Sequence, residues 1–529
     1  MTTSIPLYTK ELRPVSPLAN TGKLFGGIIA DLQRRLPHFA SDFREGLSMK
    51  VIASVTFMFF ACLANAIAFG GLNSLMTGGQ IGTVEMIVAT AVGGVVYALF
   101  SGQPLTLLGG TGPIVIFTGL LYTLCERQGL PFLPIYAWVG VWSGLFLLIL
   151  AVIDASSLMR FFTRFIDEIF AALVAVIFIV EALRSIAGPF HAPERDNAVV
   201  LMTVVLALGT FMLARTFKQF LQTRYLHRRI REFISDFGPA IAIGLMTLFS
   251  LGMPEIPVER AAIPEVFGTT TGRPWLVDMF ALPGWLILGC MGPALLVTVL
   301  LFLDQNITTR LVNSPLHALR KGPGYHLDLT IVALLTIGCS VFGLPWIVAA
   351  TVHSLNHVKS LATTESADSA NGARERILSV KENRVSALAI HLLIGGSIML
   401  LPLIKVIPME VLFGLFLYMG FSTLNSTDFF ERVRLWLTDR KQYPQTHYVR
   451  SVPHRVIHLF TLLQLGCLAL LWVLKSSPLG ILFPLLIALL VPLRMVLVHW
   501  FEPKHLGLLD EEEQLDARMD EDSIGDFRP

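Results

Sequence analysis

Charge is scarce in this chain. Only 15% of its 529 residues are Asp, Glu, Lys or Arg, while 54% are hydrophobic. Soluble domains carry about 25% charged residues, so that class is excluded and a polytopic membrane protein is left. A net charge of +2 gives no basic excess for a nucleic-acid partner. Cysteine is rare too. The five present, Cys62, Cys125, Cys290, Cys339 and Cys467, lie mostly inside apolar runs without metal-binding or redox spacing. That excludes a disulfide framework and reads as small core residues. An apolar leader is also missing: the first 48 residues are polar and mixed in charge, which speaks against a cleavable signal peptide. There is no Walker motif, dinucleotide fingerprint or nucleophile elbow, so no constellation supports an enzyme.

Long apolar runs are what the chain does have. Spanning candidates about twenty residues long fall near 49–69, 82–101, 104–126, 132–154, 157–184, 198–216, 234–251, 284–311, 325–343, 346–362, 384–403, 407–424, 455–475 and 479–501. That reading gives an all-α protein of fourteen segments. Basic residues cluster at Arg34 and Arg35, through 215–231, at Arg320 and Lys321, from Arg374 to Arg384 and from Arg432 to Arg455. All fall on one side in this count, which makes both termini cytoplasmic. The expected divisions are a cytoplasmic tail over 1–48, a first repeat over 49–251, an extracellular loop over 252–283, a second repeat over 284–501 and an acidic cytoplasmic tail over 502–529. The stretch from Asp510 onward reads as solvated and disordered.

One stretch breaks the apolar pattern. LFLDQNITTR (301–310) carries a carboxylate, two amides and two hydroxyls along a run that begins near Trp285. An ionised Asp at the centre of a spanning helix costs about 2.5–3.5 kcal/mol, so it faces a partner or a wet path. Asp304 and Thr308 are four residues apart and share a helix face. A carboxylate beside a hydroxyl offers hard oxygen ligands suited to a small hard cation. The alternative is that Asp304 pairs with another helix for packing alone.

Two further stretches share a pattern, GQPLTLLGGTGP (102–113) and GLPWIVAATVHS (343–354). Each opens with Gly-x-Pro, runs through a short β-favouring stretch into small residues, and reaches a Thr, at Thr111 and Thr351. In the count above they enter the membrane from opposite sides. That is the signature of an inverted repeat with discontinuous third and tenth segments meeting near the midplane. Thr111 suits an N-cap with Pro113 in the first turn. Two facing helix N-termini offer free N–H groups and positive dipole ends, hence an anion site. The alternative is that the small residues merely let helices pack closely.

Other groups carry less. His353 and His357 lie four apart but lack the further ligands of a zinc site; His353 is the more interesting, as a protonatable group beside the second half-helix. Asp167, Glu168 and Arg164 read as a solvated or paired structural cluster. Glu181 and Arg184 give a weak signal for drawing ions to a mouth. Trp138, Trp142 and Trp472 read as packing or interface anchors.

Several of these stretches carry a resemblance. SGQPLTLLGGTGP (101–113), DASSLMRFFTRF (154–165), KGPGYHLDL (321–329), GLPWIVAATV (343–352) and VLFGLFLYMG (411–420), bounded by FGGIIADL (25–32) and LLD (508–510), resemble the bicarbonate transporters of solute carrier family four. These include the red-cell anion exchanger and the sodium–bicarbonate cotransporters. The resemblance implies two inverted seven-segment repeats. A core domain of segments one to four and eight to eleven would move like an elevator against a gate domain of the remainder, and the gates would form a homodimer. It implies that Thr111, Gly112, Pro113, Ala350, Thr351 and Val352 bound the anion site. Sodium-coupled members carry Asp at the position of Asp304, where chloride–bicarbonate exchangers carry Glu. The resemblance therefore implies Asp304, Thr308 and Thr351 as the Na⁺ ligand set. Exchangers have Arg where this chain has His353, and sodium-coupled members an apolar residue; His353 matches neither and joins the anion side of the site. Thr118 stands in place of a usual Glu on the third helix, and Ala64, Asn65 and Ala68 in place of Ser-Pro and Thr on the first. The large cytoplasmic N-terminal domain of animal members has no counterpart here, which reads as a minimal prokaryotic version.

The expected function is sodium-coupled transport of bicarbonate or carbonate across the plasma (inner) membrane, with Na⁺ as co-transported ion and no other cofactor. A sodium-independent chloride–bicarbonate exchanger or borate transporter, with His353 in the place of the exchanger Arg, is the alternative. A non-transporting receptor or scaffold is a more distant one.

Overall fold

The structure, a computed structural model, describes residues 18, 20–191, 196–223, 225–260, 264, 267–367, 374–444, 446–497 and 499–510. The chain enters through two short helices, α1 (Gly26–Arg35) and α2 (Phe39–Arg44). Within the stretch expected as a tail, the residues from 20 onward are held against the helices by side-chain acceptors. Asp154 accepts from the Thr21 N–H at 3.1 Å and the Gly27 N–H at 2.8 Å. Asp31 accepts from the N–H groups of His326 (2.8 Å) and Leu327 (3.2 Å), capping a helix nearly 300 positions away.

Next come α3 (Met49–Met76), α4 (Thr83–Phe100), strand β1 (Leu108–Gly109), α5 (Gly112–Arg127), α6 (Phe132–Val152), α7 (Arg164–Ala187), α8 (Asn197–Gln219) and α9 (Arg228–Leu251). Starts are marked by local acceptors: Ser48 Oγ takes the Val51 N–H, and Asp196 takes that of Ala198. After the loop that follows α9 come α10 (Gly284–Gly289), α11 (Met291–Val312), α12 (Tyr325–Val341), β2 (Val348–Ala349), α13 (Thr351–Leu361), hairpin strands β3 (Ala362–Ala367) and β4 (Arg374–Val380), α14 (Val385–Gly396), α15 (Leu401–Ile404), α16 (Met409–Asn425), α17 (Asp428–Leu435), α18 (His447–Ser451), α19 (His454–Ser476), α20 (Phe483–Leu497) and α21 (Pro503–Asp510). Among the described residues, nine helical stretches are long and apolar enough to cross a membrane, and three shorter apolar helices accompany them.

Helices α3, α4, α6, α11, α12, α13 and α14 pack chiefly on one another, and α7, α8, α9, α16, α19 and α20 do likewise. The apolar core runs through both groups. The stretch 157–163, expected inside the fifth segment, is mostly a 3₁₀ turn (Ala155–Phe161) entered through Asp154 in the left-handed region. The acidic expectation at Asp510 is also corrected. Its carboxylate accepts from Arg494 Nε at 2.9 Å and from the Phe165 N–H at 3.2 Å. The rest of that acidic stretch, 511–529, lies outside the described residues. Glu181 pairs with Lys475 at 2.8 Å and with Arg184 at 3.6 Å, so it is engaged in structural contacts.

The feature that positions the site is the meeting of β1 and β2. They pair antiparallel, Leu108 opposite Ala349 and Gly109 opposite Val348, and Ala350 N donates to Leu107 O at 2.9 Å. Each strand runs directly toward the start of a half-helix, α5 or α13.

Candidate functional site

Extended backbone in the middle of a helical membrane protein exposes N–H and C=O groups that must find partners. Two residues per strand pair with each other, and side chains serve the others. Asn65 Nδ2 on α3 donates to Gly110 O at 3.2 Å. Gln305 Oε1 on α11 accepts from Ala349 N at 3.1 Å. Ser354 Oγ accepts from Leu107 N at 3.0 Å, and His357 Nδ1 lies 2.9 Å from Leu105 O. These amides, hydroxyls and imidazole satisfy the extended backbone inside the helical bundle.

Both half-helices start without a side-chain cap. Thr111 occupies the N-cap of α5 with extended backbone (φ −127°, ψ 149°), and Pro113 stands in the first turn. Its hydroxyl does not turn back on its own helix; it donates to Asp304 Oδ2 at 2.7 Å. At α13 the N-cap is Ala350, which has no side-chain acceptor, and Thr351 is the first helical residue. The Thr351 hydroxyl lies 2.6 Å from that of Thr308, whose Oγ1 is also 3.3 Å from Ala349 O. One turn of α11 therefore touches both junctions, Asp304 at α5 and Thr308 at α13. Both residues are buried, 7% and 0% exposed.

The expected residues come together only in part. Thr111 and Asp304 form one contact, and Thr308 and Thr351 another; no hydrogen bond joins Asp304 to Thr308 or Thr351. Gly112 packs on α7, where a Cβ would fall 2.6 Å from Phe178 Cζ. Phe178 in turn contacts Phe69 and Phe416, forming an aromatic wall at 5.6 and 5.9 Å. His353 faces the backbone of Ala61 on α3. Val352, by contrast, is 58% exposed. His357 is taken up by Leu105 O and by Ser386 Oγ at 2.8 Å, which removes it from any metal pair. Among the described residues no group of three His, Cys, Asp or Glu could hold a metal ion.

Residues 23–197 and 188–514 match the family model of the HCO3- transporter integral membrane domain. The chain belongs to this family. It is 37% identical over 93% of its length to the sodium-driven chloride bicarbonate exchangers of Bos taurus and Homo sapiens, spanning 50% of each. The match to the human electroneutral sodium bicarbonate exchanger 1 is also 37% over 93% of the chain, covering 51% of that protein. The chain thus spans about half the length of the curated relatives it matches. Two solved structures share the fold. The transmembrane domain of the cyanobacterium bicarbonate transporter BicA gives a TM-score of 0.55 at 15% identity, with 79% of this chain and 98% of that one covered. SLC26A9 gives 0.59 at 12%, with 88% and 68% covered.

For a member of this bicarbonate-transporter family, the residues that sequence reasoning passed over are those serving the crossing backbone: Gln305, Ser354 and His391, whose Nε2 lies 3.3 Å from Leu108 O. Asp328 belongs with them. It is fully buried and accepts from the N–H groups of Gly102 (2.7 Å) and Gln103 (3.1 Å), fixing the approach to β1. A buried acid inside the KGPGYHLDL stretch was the available signal. The loop between α9 and α10 is fastened too: Arg273 Nη2 donates to Gly343 O at 2.8 Å, and Glu85 accepts from the Thr270 N–H at 2.7 Å.

Proposed function

We propose that this chain is a secondary transporter that carries bicarbonate or carbonate together with Na⁺, in the plasma (inner) membrane with both termini cytoplasmic. What supports the reading above all is the double contact of α11, whose carboxylate and hydroxyl reach one half-helix start each. Na⁺ sits on Asp304 and Thr308 with help from Thr351. The anion lies between the two uncapped starts, against the backbone of Thr111, Gly112 and Pro113 on one side and of Ala350, Thr351, Val352 and His353 on the other. Helix ends supply N–H donors and partial positive charge, and the cation neutralises what remains. Either ion alone leaves an uncompensated charge in a poorly hydrated site, so loading of one favours loading of the other. The names of the relatives, which include sodium-driven chloride bicarbonate exchangers, are consistent with this coupling.

In this reading the chain crosses the membrane fourteen times, as two inverted seven-segment repeats over 49–251 and 284–501 separated by an extracellular loop at 252–283. The α5 and α13 segments are the discontinuous crossings. The body built on α3 to α6 and α11 to α14 carries the ions by an elevator movement. The body of α7 to α9 with α16, α19 and α20 stays fixed as the gate and forms the homodimer contact.

Uptake of labelled bicarbonate into proteoliposomes, with external Na⁺ replaced by a large organic cation, tests the coupling. The wild-type chain is expected to lose uptake without Na⁺, and Asp304→Asn to lose sodium activation while remaining folded. Uptake that continues unchanged without Na⁺ identifies a sodium-independent exchanger instead. Sodium activation that survives Asp304→Asn removes that residue from the cation site.

A further inference from the structure

We propose that a cleft on the face carrying the basic loops binds a phosphate-rich anion, either the headgroup of an anionic lipid or a free polyphosphate. The cleft has a volume of about 510 Å³ and is built where the α2–α3 turn, the segment after α11 and the end of β4 meet. Its chemistry follows from counting which charges are already satisfied. Beneath it lies a buried network in which Asp42 pairs with Arg35 (3.3 Å), Arg384 (3.1 Å) and Lys321 (2.8 Å). Glu45, half exposed and itself on the cleft wall with Lys321 and Glu382, also pairs with Lys321, at 2.9 Å. Glu382 accepts from the backbone N–H groups of Arg320 (2.5 Å) and Lys321 (3.1 Å) and pairs with Arg35 at 3.5 Å. Three cations thus balance three carboxylates. That leaves Arg44, Arg320 and Lys381, all lining the cleft and all exposed. Among the described residues none of their side chains has a carboxylate partner.

Three unpaired cations from three distant segments, held by a rigid buried floor, form a receptor for multiply charged oxygen acceptors. Guanidinium groups match phosphate oxygens in geometry as well as charge. The opening is at the apolar surface: Leu47, which lines it, is 83% exposed, and Met49 at the start of α3 is 79% exposed. A headgroup anchored in the adjacent leaflet has the shortest route in, and clustered cations at such a surface recognise anionic lipid. The cleft also touches the transport site mechanically, since Lys381 N donates to Leu361 O, the last residue of half-helix α13, at 3.2 Å. The inference does not rest on the identity of the transported ion.

The test uses the full chain in phosphatidylcholine nanodiscs with and without phosphatidylinositol bisphosphate, and separately soluble inositol hexakisphosphate added to phosphatidylcholine discs. The triple variant Arg44→Gln, Arg320→Gln, Lys381→Gln is expected to bind the loaded probe at least about tenfold more weakly than wild type, as loss of three charge-assisted contacts requires. A control, Arg440→Gln with Lys441→Gln, removes two cations outside the cleft and is expected to change binding less than about twofold. Binding of the lipid alone assigns a membrane headgroup, and binding of the soluble probe assigns a free polyphosphate. Since the three side chains are exposed and unpartnered, the triple variant keeps its melting temperature; Arg320→Gln alone serves as a milder second variant with an intermediate loss. Equal affinity of wild type and triple variant for both probes, or an equal loss in the control, overturns the proposal.

Discussion

Thr111 is where the two halves of the site touch, and its behaviour was only partly visible in advance. A Thr before a Gly-Pro start reads as an N-cap, and it is one; that its hydroxyl leaves its own helix for Asp304 depends on a residue 193 positions away. Asp304, Thr308 and Thr351 stood out because polar groups in apolar runs need a reason to be there. Gln305 and Ser354 did not, and Asn65 and His357 drew notice for other reasons, since what all four serve is backbone of another segment, and no local spacing announces that. Asp31 shows the same long reach outside the membrane. Burial pushes its carboxyl up to about 6, against the opposing pulls of the Leu327 N–H, Arg34 and the His326 N–H. A raised acid in the folded state holds its proton more tightly than in the unfolded chain. Its contribution to stability is therefore full below the unfolded value near 3.8 and is lost as pH rises through about 6. The melting temperature of wild type relative to Asp31→Asn is expected to fall between pH 4 and 6 and then level off. A difference that stays flat over that window shows that Asp31 does not titrate there.

At the level of elements, apolar length located the helices well and their ends less well. Helix α3 runs to Met76, past the expected end at 69, because Gly70 and Gly71 are packing positions inside the helix rather than a stop; a Cβ at Gly70 would sit 2.5 Å from Thr83 Cα. The broken segments were legible from Gly-x-Pro followed by small residues and a Thr. The pairing of β1 with β2 was not, since two residues per strand give no period to read. Close approach of α5 to α7 at Gly112 yields a sharp expectation. Gly112→Ala must push α5 away from Phe178, which for an overpacked core position costs about 1–3 kcal/mol. It should lower both melting temperature and uptake, and Phe178→Leu in the same chain should restore much of the loss. Full activity of Gly112→Ala alone would mean that the two helices separate freely.

For the whole molecule, the two packed bodies are joined at the basic end by an ion pair between Arg310 on α11 and Asp167 on α7, with Arg310 also donating to Phe162 O. Sequence reading saw Asp167 and Glu168 as a structural cluster but not their partners, because Arg310 and Arg432 lie 143 and 264 positions away. Movement of α11 past α7 under the proposed mechanism requires the Arg310–Asp167 contact to part. The pair is partly exposed, so removing one member is expected to cost about 1–3 kcal/mol, between the surface and buried limits. Arg310→Gln with Asp167→Asn should be more stable than either single variant and should take up bicarbonate faster than wild type. A double variant no faster than wild type would show that this contact does not restrain the movement.

The paired strands also impose an order of events during synthesis. Leu108 and Gly109 emerge from the ribosome some 240 residues before Val348 and Ala349, the backbone that pairs with them. An open edge is not tolerated against lipid tails. A chain cut short before residue 348 therefore keeps the backbone groups of Leu108 and Gly109 without their strand partner.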